Sequence, residues 1–233
     1  MAPLVTMHLW GAPTRAVPRA VLHMATDRRA VARAPGLRFA KLLGTGSGRT
    51  FTVRDADPRR WGLLAVWADE SAADAFERGP VPTAWRRFAD EQWTARLEPL
   101  AARGRWSRRE PFARPEPRPW PGPVAAVTRA WLVLRRAARF WAAVPPVSAD
   151  LYRAPGLRLA LGIGEAPVGL QGTFSVWDSA AALNGFAYGR APHAAVVERT
   201  AREGWYAEEL FARFAVRSAS GTVDGADPLA GPA

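Results

Sequence analysis

The sequence predicts an α+β fold in which one unit of strands and helices occurs twice. The segment Arg33-Ala-Pro-Gly-Leu-Arg38 recurs 120 residues later as Arg153-Ala-Pro-Gly-Leu-Arg158. Downstream, Leu63-Leu-Ala-Val-Trp67 matches Thr173-Phe-Ser-Val-Trp177, 110 residues later. Two matches in the same order along the chain indicate an internal duplication.

The order of elements within a unit predicts its topology. Alternating apolar residues at 5–10 and 124–131 predict an opening strand in each copy. Matching helices and strands follow, near 19–32 and 134–144 for the helices and at 37–43, 62–67, 157–163 and 172–177 for the strands. Each later strand leads into another helix, and each unit ends on a strand. This βαββαβ order is the ferredoxin-like unit. Two units side by side predict a two-sheet, barrel-like body with helices outside and a cavity between the sheets.

Composition shifts predict the domain boundaries. We expect a first unit at 1–108, a proline-rich linker at 109–123, a second unit at 124–220 and a glycine- and proline-rich tail at 221–233. Exposed edges of such sheets often pair, so we expect a homo-oligomer, most simply a dimer.

The amino-acid composition excludes several kinds of site. Cysteine is absent, which removes disulfides, cysteine-bound zinc, thiolate-ligated haem and covalently attached haem. The net charge is +11, but arginines are spread along the whole chain, so we expect no nucleic-acid partner and only peripheral contact with anionic lipid. No window approaches a membrane span, and the N-terminus lacks a secretory pattern, so a cytoplasmic location is expected.

The two copies differ at a position that can carry chemistry. His193 corresponds to Thr83 of the first copy, and a proline precedes both. Proline suits the first turn of a helix, which places His193 at the start of a predicted helix over 192–203. The helix dipole there favours the neutral imidazole that binds metals. Val197 lies four residues on and shares the inward face.

The histidine count limits which metal centre is possible. The chain has three histidines, His8, His23 and His193, whereas a non-haem iron or zinc site would need two or three close together. Haem needs one protein ligand, so His193 is the candidate for iron. A hydrogen-bonded core histidine is the alternative. We expect His8 to be half-buried on its strand and His23 to be a surface or core residue.

Four further residues are candidates for the site. Gln171 and Arg129 belong to strands that would border a pocket in the second copy, and Lys41 is the only lysine, set in an apolar strand. A lysine that reaches solvent along its stem is the alternative for Lys41. Trp177 is one of eleven tryptophans; core packing explains most of them, but a flat apolar cofactor also needs aromatic walls.

Motifs along nearly the whole chain resemble those of the spheroidene monooxygenases, the acyclic-carotenoid ketolases. They include Gly44-Thr-Gly, Gly104-Arg-Trp106, Ala126-Val-Thr-Arg129, Gly162-Ile-Gly-Glu165, Thr173-Phe-Ser-Val-Trp177, Pro192-His193 and Glu208-Glu-Leu210. The resemblance implies an O2-dependent monooxygenase with haem as its cofactor, which we expect to be haem b. Dependence on a ferredoxin and its reductase would distinguish such an enzyme from a haem enzyme of aldoxime-dehydratase type. It also implies kinship with ferredoxin-like dimeric haem proteins such as aldoxime dehydratases. His8 and Tyr188 depart from the family pattern and leave the substrate open.

The sequence therefore predicts a haem-dependent monooxygenase acting with O2 on a carotenoid or another apolar small molecule. Its predicted cofactor residues are His193, Trp177 and Val197, and its predicted catalytic residues are Gln171, Arg129 and Lys41. Three alternatives stay open: a haem enzyme of aldoxime-dehydratase or N-oxygenating type, a haem or small-molecule carrier, and a cofactor-free monooxygenase in which His193 is a core residue.

Overall fold

Eight antiparallel strands close into one barrel in the computed structural model, which describes residues 3–49, 53–112, 118–132, 148–165, 172–189 and 206–230. The strands are β1 (Leu4–Gly11), β2 (Leu37–Gly46), β3 (Ala56–Trp67), β4 (Glu91–Gly104), β5 (Val124–Leu132), β6 (Leu157–Gly164), β7 (Gly172–Trp177) and β8 (Tyr206–Gly221). Around the barrel they run in the order β1-β3-β2-β6-β7-β5-β8-β4.

The described helices lie outside the barrel. They are α1 (Val17–Ala32), α2 (Glu70–Glu77), α3 (Pro80–Arg86) and α4 (Ala180–Gly189). The predicted helix over 19–32 and the predicted strands are confirmed. The helices predicted over 134–144 and 192–203 lie outside the described residues.

The amphipathic pattern of α1 explains its place on the sheet. Ala20, Met24, Asp27 and Val31 recur at helical spacing and are the buried positions of the helix. A proline in its first turn leaves no internal backbone donor unpaired. The N-terminus of α2 is capped by Asp69, whose carboxylate accepts a hydrogen bond from the backbone N–H of the third residue on, at 2.8 Å.

The prediction of two sheets with a cavity between them is wrong for the described residues. Strand β2 pairs with β6, and β4 pairs with β8, so strands of the two halves join into one closed sheet. Alternate residues of every strand point inward. The inward side chains are large and apolar, including Met7, Leu43, Trp93, Phe174 and Phe214, and they fill the interior.

The strand order is unchanged when the two halves are exchanged. Replacing β1–β4 by β5–β8 and the reverse gives the same set of neighbouring strands. The registers agree as well, since Leu4 pairs with Trp67 as Val124 pairs with Trp177. The ferredoxin-like duplication, the domain boundaries and the dimer stay predictions.

Each end of the barrel is closed by a turn that follows a long strand. The turn over 105–109 follows β4, and the turn over 222–226 follows β8. Because β4 and β8 are antiparallel, these turns lie at opposite ends. Trp106 of the first turn and Val223 of the second are buried in the interior cluster.

The repeated Arg-Ala-Pro-Gly-Leu-Arg motif has the same structural cause in both halves. Gly36 and Gly156 have φ of 73° and 78°, and each lies against an alanine of the following helix. A Cβ at Gly36 would lie 2.5 Å from Ala72 Cβ, and one at Gly156 would lie 2.7 Å from Ala182 Cβ. Glycine is therefore required twice over at each position, by its backbone angle and by the close helix.

We expect Gly36→Ala and Gly156→Ala each to lower the free energy of unfolding by about 2–5 kcal/mol, because left-handed strain adds to overpacking. Gly225→Ala is the matched control, since Gly225 has φ of 76° but no atom within 4 Å of the point where a Cβ would lie. It should cost only about 1–2 kcal/mol. Denaturant unfolding checks this, and equal losses in all three variants would contradict the close-approach explanation.

Candidate active site

Four charged side chains meet at the end of the barrel closed by Trp106. Lys41 comes from β2, Arg129 from β5, Glu165 directly follows β6, and Glu208 comes from β8. We call these four residues the charged cluster. Each lies two residues from an interior residue of its strand. Because every second residue of a strand points to the same face, all four side chains lie on the inward side of the sheet. The cluster joins strands from both halves of the chain.

Glu165 is the centre of the charged cluster. One carboxylate oxygen accepts a hydrogen bond from Lys41 Nζ at 2.5 Å. The other accepts from a guanidinium nitrogen of Arg129 at 3.0 Å and from Trp106 Nε1 at 2.7 Å. Arg129 donates through its second terminal nitrogen to Glu208 at 2.6 Å, and its guanidinium lies 5.4 Å from the centre of the Trp106 ring. The sequence-predicted residues Lys41 and Arg129 are thus brought together by a carboxylate.

Burial makes these contacts strong. Only 2% of the Arg129 side chain is exposed. Burial acts to raise the pKa of Glu165, but hydrogen bonds from Lys41 and Trp106 and the nearby positive charges outweigh it, so the pKa lies below its usual value. The carboxylate of Glu165 is therefore ionised at neutral pH, as two positively charged partners require.

Glu208 fastens the turn that carries Trp106. Its carboxylate accepts the backbone N–H groups of Ser107 at 2.9 Å and Arg108 at 2.7 Å. Both turn residues have positive φ, at 53° and 62°, a strained conformation that these hydrogen bonds support. Burial opposes ionisation of Glu208, but the two backbone donors and Arg129 hold its pKa below the usual value.

A similar arrangement closes the opposite end. There the carboxylate of Glu91 accepts the backbone N–H of Gly225 at 2.7 Å and lies 3.4 Å from a guanidinium nitrogen of Arg60. Arg60 also bonds Asp224, at 2.5 Å. A carboxylate that holds a turn and an arginine that holds the carboxylate therefore occur at both ends.

Trp177 lies on the other face of the sheet. It is fully buried with Val124 and Phe186 in a cluster between the barrel and α4, and its ring stacks on Phe186 at 5.4 Å. Its Nε1 donates to Ser175 Oγ at 2.9 Å. Because the sheet separates the two faces, no cavity bounded by described residues can be lined by both Trp177 and Arg129.

The two described histidines both lie in the first half of the chain. His8 is 2% exposed rather than half-buried as expected, and its ring stacks on Trp10 at 5.5 Å. Burial, aided by Arg86 and Arg96, lowers its pKa to about 3, so the imidazole is neutral. His23 Nδ1 lies 3.1 Å from a carboxylate oxygen of Asp27.

The predicted residues His193, Val197 and Gln171 lie outside the described residues. The first-half counterpart of His193 can be described: Thr83 lies in α3, which begins at Pro80, two residues before the Pro82 that matches Pro192. Trp85 of the same helix is fully buried and stacks on Trp10 of β1 at 4.9 Å. Helix α3 thus lies against the outer face of the sheet, the face that carries Trp177 in the second half.

Sequence reasoning missed Glu165 and Trp106 as members of a site. Both occur in the motifs quoted above, but nothing in their spacing shows that they meet Lys41, which lies more than a hundred positions from Glu165. Glu208 and Glu209 are adjacent in sequence and point to different faces of β8. They differ in role accordingly, since Glu209 is exposed and Glu208 serves the cluster.

Known proteins similar to this chain identify its family. The spheroidene monooxygenase of Rhodobacter capsulatus is 37% identical over 223 residues, covering 93% of this chain and 91% of the relative. That of Rubrivivax gelatinosus is 42% identical over 192 residues, covering 82% and 73%. The chain belongs to the spheroidene monooxygenase family. No protein-family model matches the sequence.

Membership of the spheroidene monooxygenase family makes the chain an oxidoreductase enzyme and confirms the predicted resemblance. The fold is also that of a solved aldoxime dehydratase, with a TM-score of 0.61 and 10% identity over 92% of this chain and 82% of that one. Across the described ranges, no helix is long and apolar enough to span a membrane. Within the same ranges, no three His, Asp or Glu side chains are grouped to hold a metal ion.

We expect Glu165→Gln to lower the free energy of unfolding by about 2–4 kcal/mol, because Arg129 stays buried with one carboxylate fewer. The matched control is Glu98→Gln, whose partners Arg118 and Arg217 are 41% and 50% exposed. That change should cost less than about 1 kcal/mol. Equal losses would show that the cluster contributes no more than a surface ion pair.

The same variant tests the ionisation of the cluster. A carboxylate whose folded pKa is depressed contributes stability above its unfolded pKa, near 4.5, and loses it as pH falls towards the folded value. The free energy of unfolding of the unmodified chain should therefore decrease as the pH falls below about 4.5. For Glu165→Gln, the free energy of unfolding should decrease less steeply with falling pH. The same pH dependence in both chains would contradict a depressed pKa of Glu165.

Proposed function

We propose that this chain is a haem-dependent monooxygenase that inserts one oxygen atom of O2 into a carotenoid-like apolar polyene. The second oxygen atom would leave as water, with two electrons from a donor such as ferredoxin and its reductase and two protons from solvent. The names of the relatives support the reaction class and the substrate class. The position of the site is supported by a difference between the two halves of the barrel.

The observation that carries the proposal concerns two tryptophans of the first half. Trp10 and Trp85 stack between the sheet and α3 and fill the space there. By the strand register, the counterpart of Trp10 is Ala130. By the 110-residue offset, the counterpart of Trp85 is Ala195. Each tryptophan buries roughly 150–250 Å² of surface, so two alanines leave room for a large flat ligand at this place in the second half.

Described residues on the same outer face of the second half would suit haem as an apolar wall. Val124, Trp177 and Phe186 form a buried apolar wall, and Leu157 and Leu183 pack against it. His193 would hold the haem iron, two positions before Ala195 in the predicted helix, and Val197 would share its face. Because His23 is bonded to Asp27 and His8 is enclosed in the first half, neither competes for this role. Haem would supply the redox chemistry for oxygen insertion, and an apolar wall of this kind would exclude water from it.

Of the other predicted residues, one would contact the substrate or O2 and two would act by positioning that residue. Gln171 directly precedes β7 and is our candidate for a polar side chain that touches substrate or O2. Arg129 pairs with Gly172 at the start of β7 in the sheet, but its side chain lies on the inward face. We assign Arg129 and Lys41 to positioning, through Glu165, of the segment that carries Gln171. Arg129→Ala should therefore alter turnover through the placement of that segment.

His193→Ala should abolish or shift the Soret band that the full chain gives when titrated with haemin. His23→Ala is the matched control and should leave the band unchanged, since Asp27 already engages that imidazole. A wild-type chain that binds no haemin, or a His193→Ala variant that binds it identically, would overturn the haem assignment. Turnover is followed with a carotenoid under ¹⁸O2, and the product must carry the label if the chain is a monooxygenase.

Ala130→Trp should block haemin binding by refilling the space that the first half fills with Trp10. The outward position tolerates tryptophan in the first half, so we expect the variant to fold, which circular dichroism checks. Thr128→Val is the control on the same face of the same strand and should bind haemin normally. Unchanged haemin binding by Ala130→Trp would place the cofactor elsewhere.

A further inference from the structure

The outward face of α1 combines exposed apolar side chains with uncompensated positive charge. Leu22 is 60% exposed and Val21 is 45% exposed. Over the described residues they are two of three large apolar side chains with such exposure, and the third, Tyr152, lies elsewhere in sequence. Two adjacent exposed apolar side chains are too small a patch to mean much alone, so the charges beside them decide what the surface can contact.

Five exposed arginines lie on this helix or directly beside it, and the guanidinium of one, Arg19, lies 4.8 Å from the centre of the Phe88 ring. They are the exposed residues Arg15, Arg19, Arg28, Arg29 and Arg33. Elsewhere arginines such as Arg60, Arg96 and Arg158 pair with carboxylates, whereas none of these five forms an ion pair with a described carboxylate.

The only acidic side chain of this region faces the opposite way. Asp27 is the single acidic residue before Asp55 in the sequence. It is 9% exposed, points inward, and is bonded to His23 and to Trp85 Nε1, the latter at 3.0 Å. The outward face of α1 therefore carries positive charge with no acidic residue of the same helix to neutralise it.

The spacing along the helix makes one elongated stripe. Leu22 and Arg29 are two turns apart and lie on one line of the helix surface. From Arg19 to Arg33 the stripe extends for about 21 Å, at 1.5 Å per residue. Arg86 and Arg87 are also exposed, at the end of the neighbouring α3.

We propose that the outward face of α1 docks the enzyme on a bilayer containing anionic lipid. Arginines bind lipid phosphates, and a polybasic surface gains affinity with each residue near the headgroups. Leu22 and Val21 would enter the interface between headgroups and acyl chains. The proposal rests on the proposed function, because an apolar polyene substrate is dissolved in the bilayer. A nucleic acid would match the charge but would leave the central leucine in water.

The test is co-sedimentation of the full chain with vesicles of phosphatidylcholine, with and without phosphatidylglycerol. We expect binding only to the anionic vesicles, weakening as salt is raised. Neutralising three stripe arginines should weaken it about a hundredfold, at about fivefold for each charge. The stripe variant is Arg19→Gln/Arg28→Gln/Arg29→Gln. The matched control, with the same change in net charge at exposed sites on other elements, is Arg59→Gln/Arg105→Gln/Arg217→Gln, and it should lose much less.

A substitution of the central leucine separates docking from attraction by charge alone. Leu22→Ser should weaken vesicle binding while leaving the charge unchanged. Equal losses in the stripe variant and the charge-matched control, or equal binding to neutral and anionic vesicles, would overturn the proposal. A third result would also overturn the proposal: the stripe variant keeps its binding to anionic vesicles but loses binding to duplex DNA or to a reduced ferredoxin.

Turnover with detergent-dispersed carotenoid distinguishes this proposal from the proposed function. The stripe variant should oxidise the dispersed substrate at the rate of the unmodified chain and lose turnover only with carotenoid held in anionic vesicles. Equal turnover by both chains in vesicles would overturn the docking role. Failure of the unmodified chain on dispersed carotenoid would overturn the proposed function itself, whatever the vesicle binding.

Discussion

The antiparallel pairing of β4 with β8 is the contact on which the rest of the structure depends. It runs from Trp93 opposite Gly221 to Gly104 opposite Leu210, and it joins strands from the two halves of the chain. Without it the sheet would have two long open edges, which is a hazard for aggregation. Because the strands run in opposite directions, each delivers its following turn to a different end of the barrel. Closure of the sheet and closure of both ends therefore follow from one pairing.

A closed and filled barrel limits where chemistry can take place. The interior is occupied by apolar side chains, and the Trp106 end is occupied by the charged cluster, in which Glu165 is shared by three donors. A buried network of this kind is stable only when its members are satisfied, so its groups are poorly available for a substrate. The outer face of the sheet is less constrained than the interior. Large side chains there come from helices, whose sequences can differ between the two halves without disturbing the sheet. On the proposed function, the reaction would therefore take place between barrel and helices.

The strands and the first helix can be predicted from the sequence, but the closure cannot. Alternation tells which residues share a face, whereas the repeated motif indicates a duplication and its role at Gly36 and Gly156 is seen only in the structure. Alternation does not tell whether two sheets stay apart or join at their edges. The described strands join, so the expectation of a cavity between sheets is wrong for that part of the chain. Glu165 and Trp106 meet Lys41 only after the barrel closes. The full burial of His8 likewise depends on aromatic neighbours that helix packing brings together.

The difference between the halves has an energetic side. Stacked tryptophans such as Trp10 and Trp85 contribute packing that two alanines cannot, and replacing large core side chains by alanine costs about 3–5 kcal/mol each. A protein that gives up this packing in one half must recover it elsewhere or be less stable there. A ligand that binds only the folded chain supplies such stabilisation by mass action. On the proposed function, haem would therefore serve the fold as well as the reaction. The first half, which keeps its tryptophans, would hold the barrel closed whether or not the cofactor is bound.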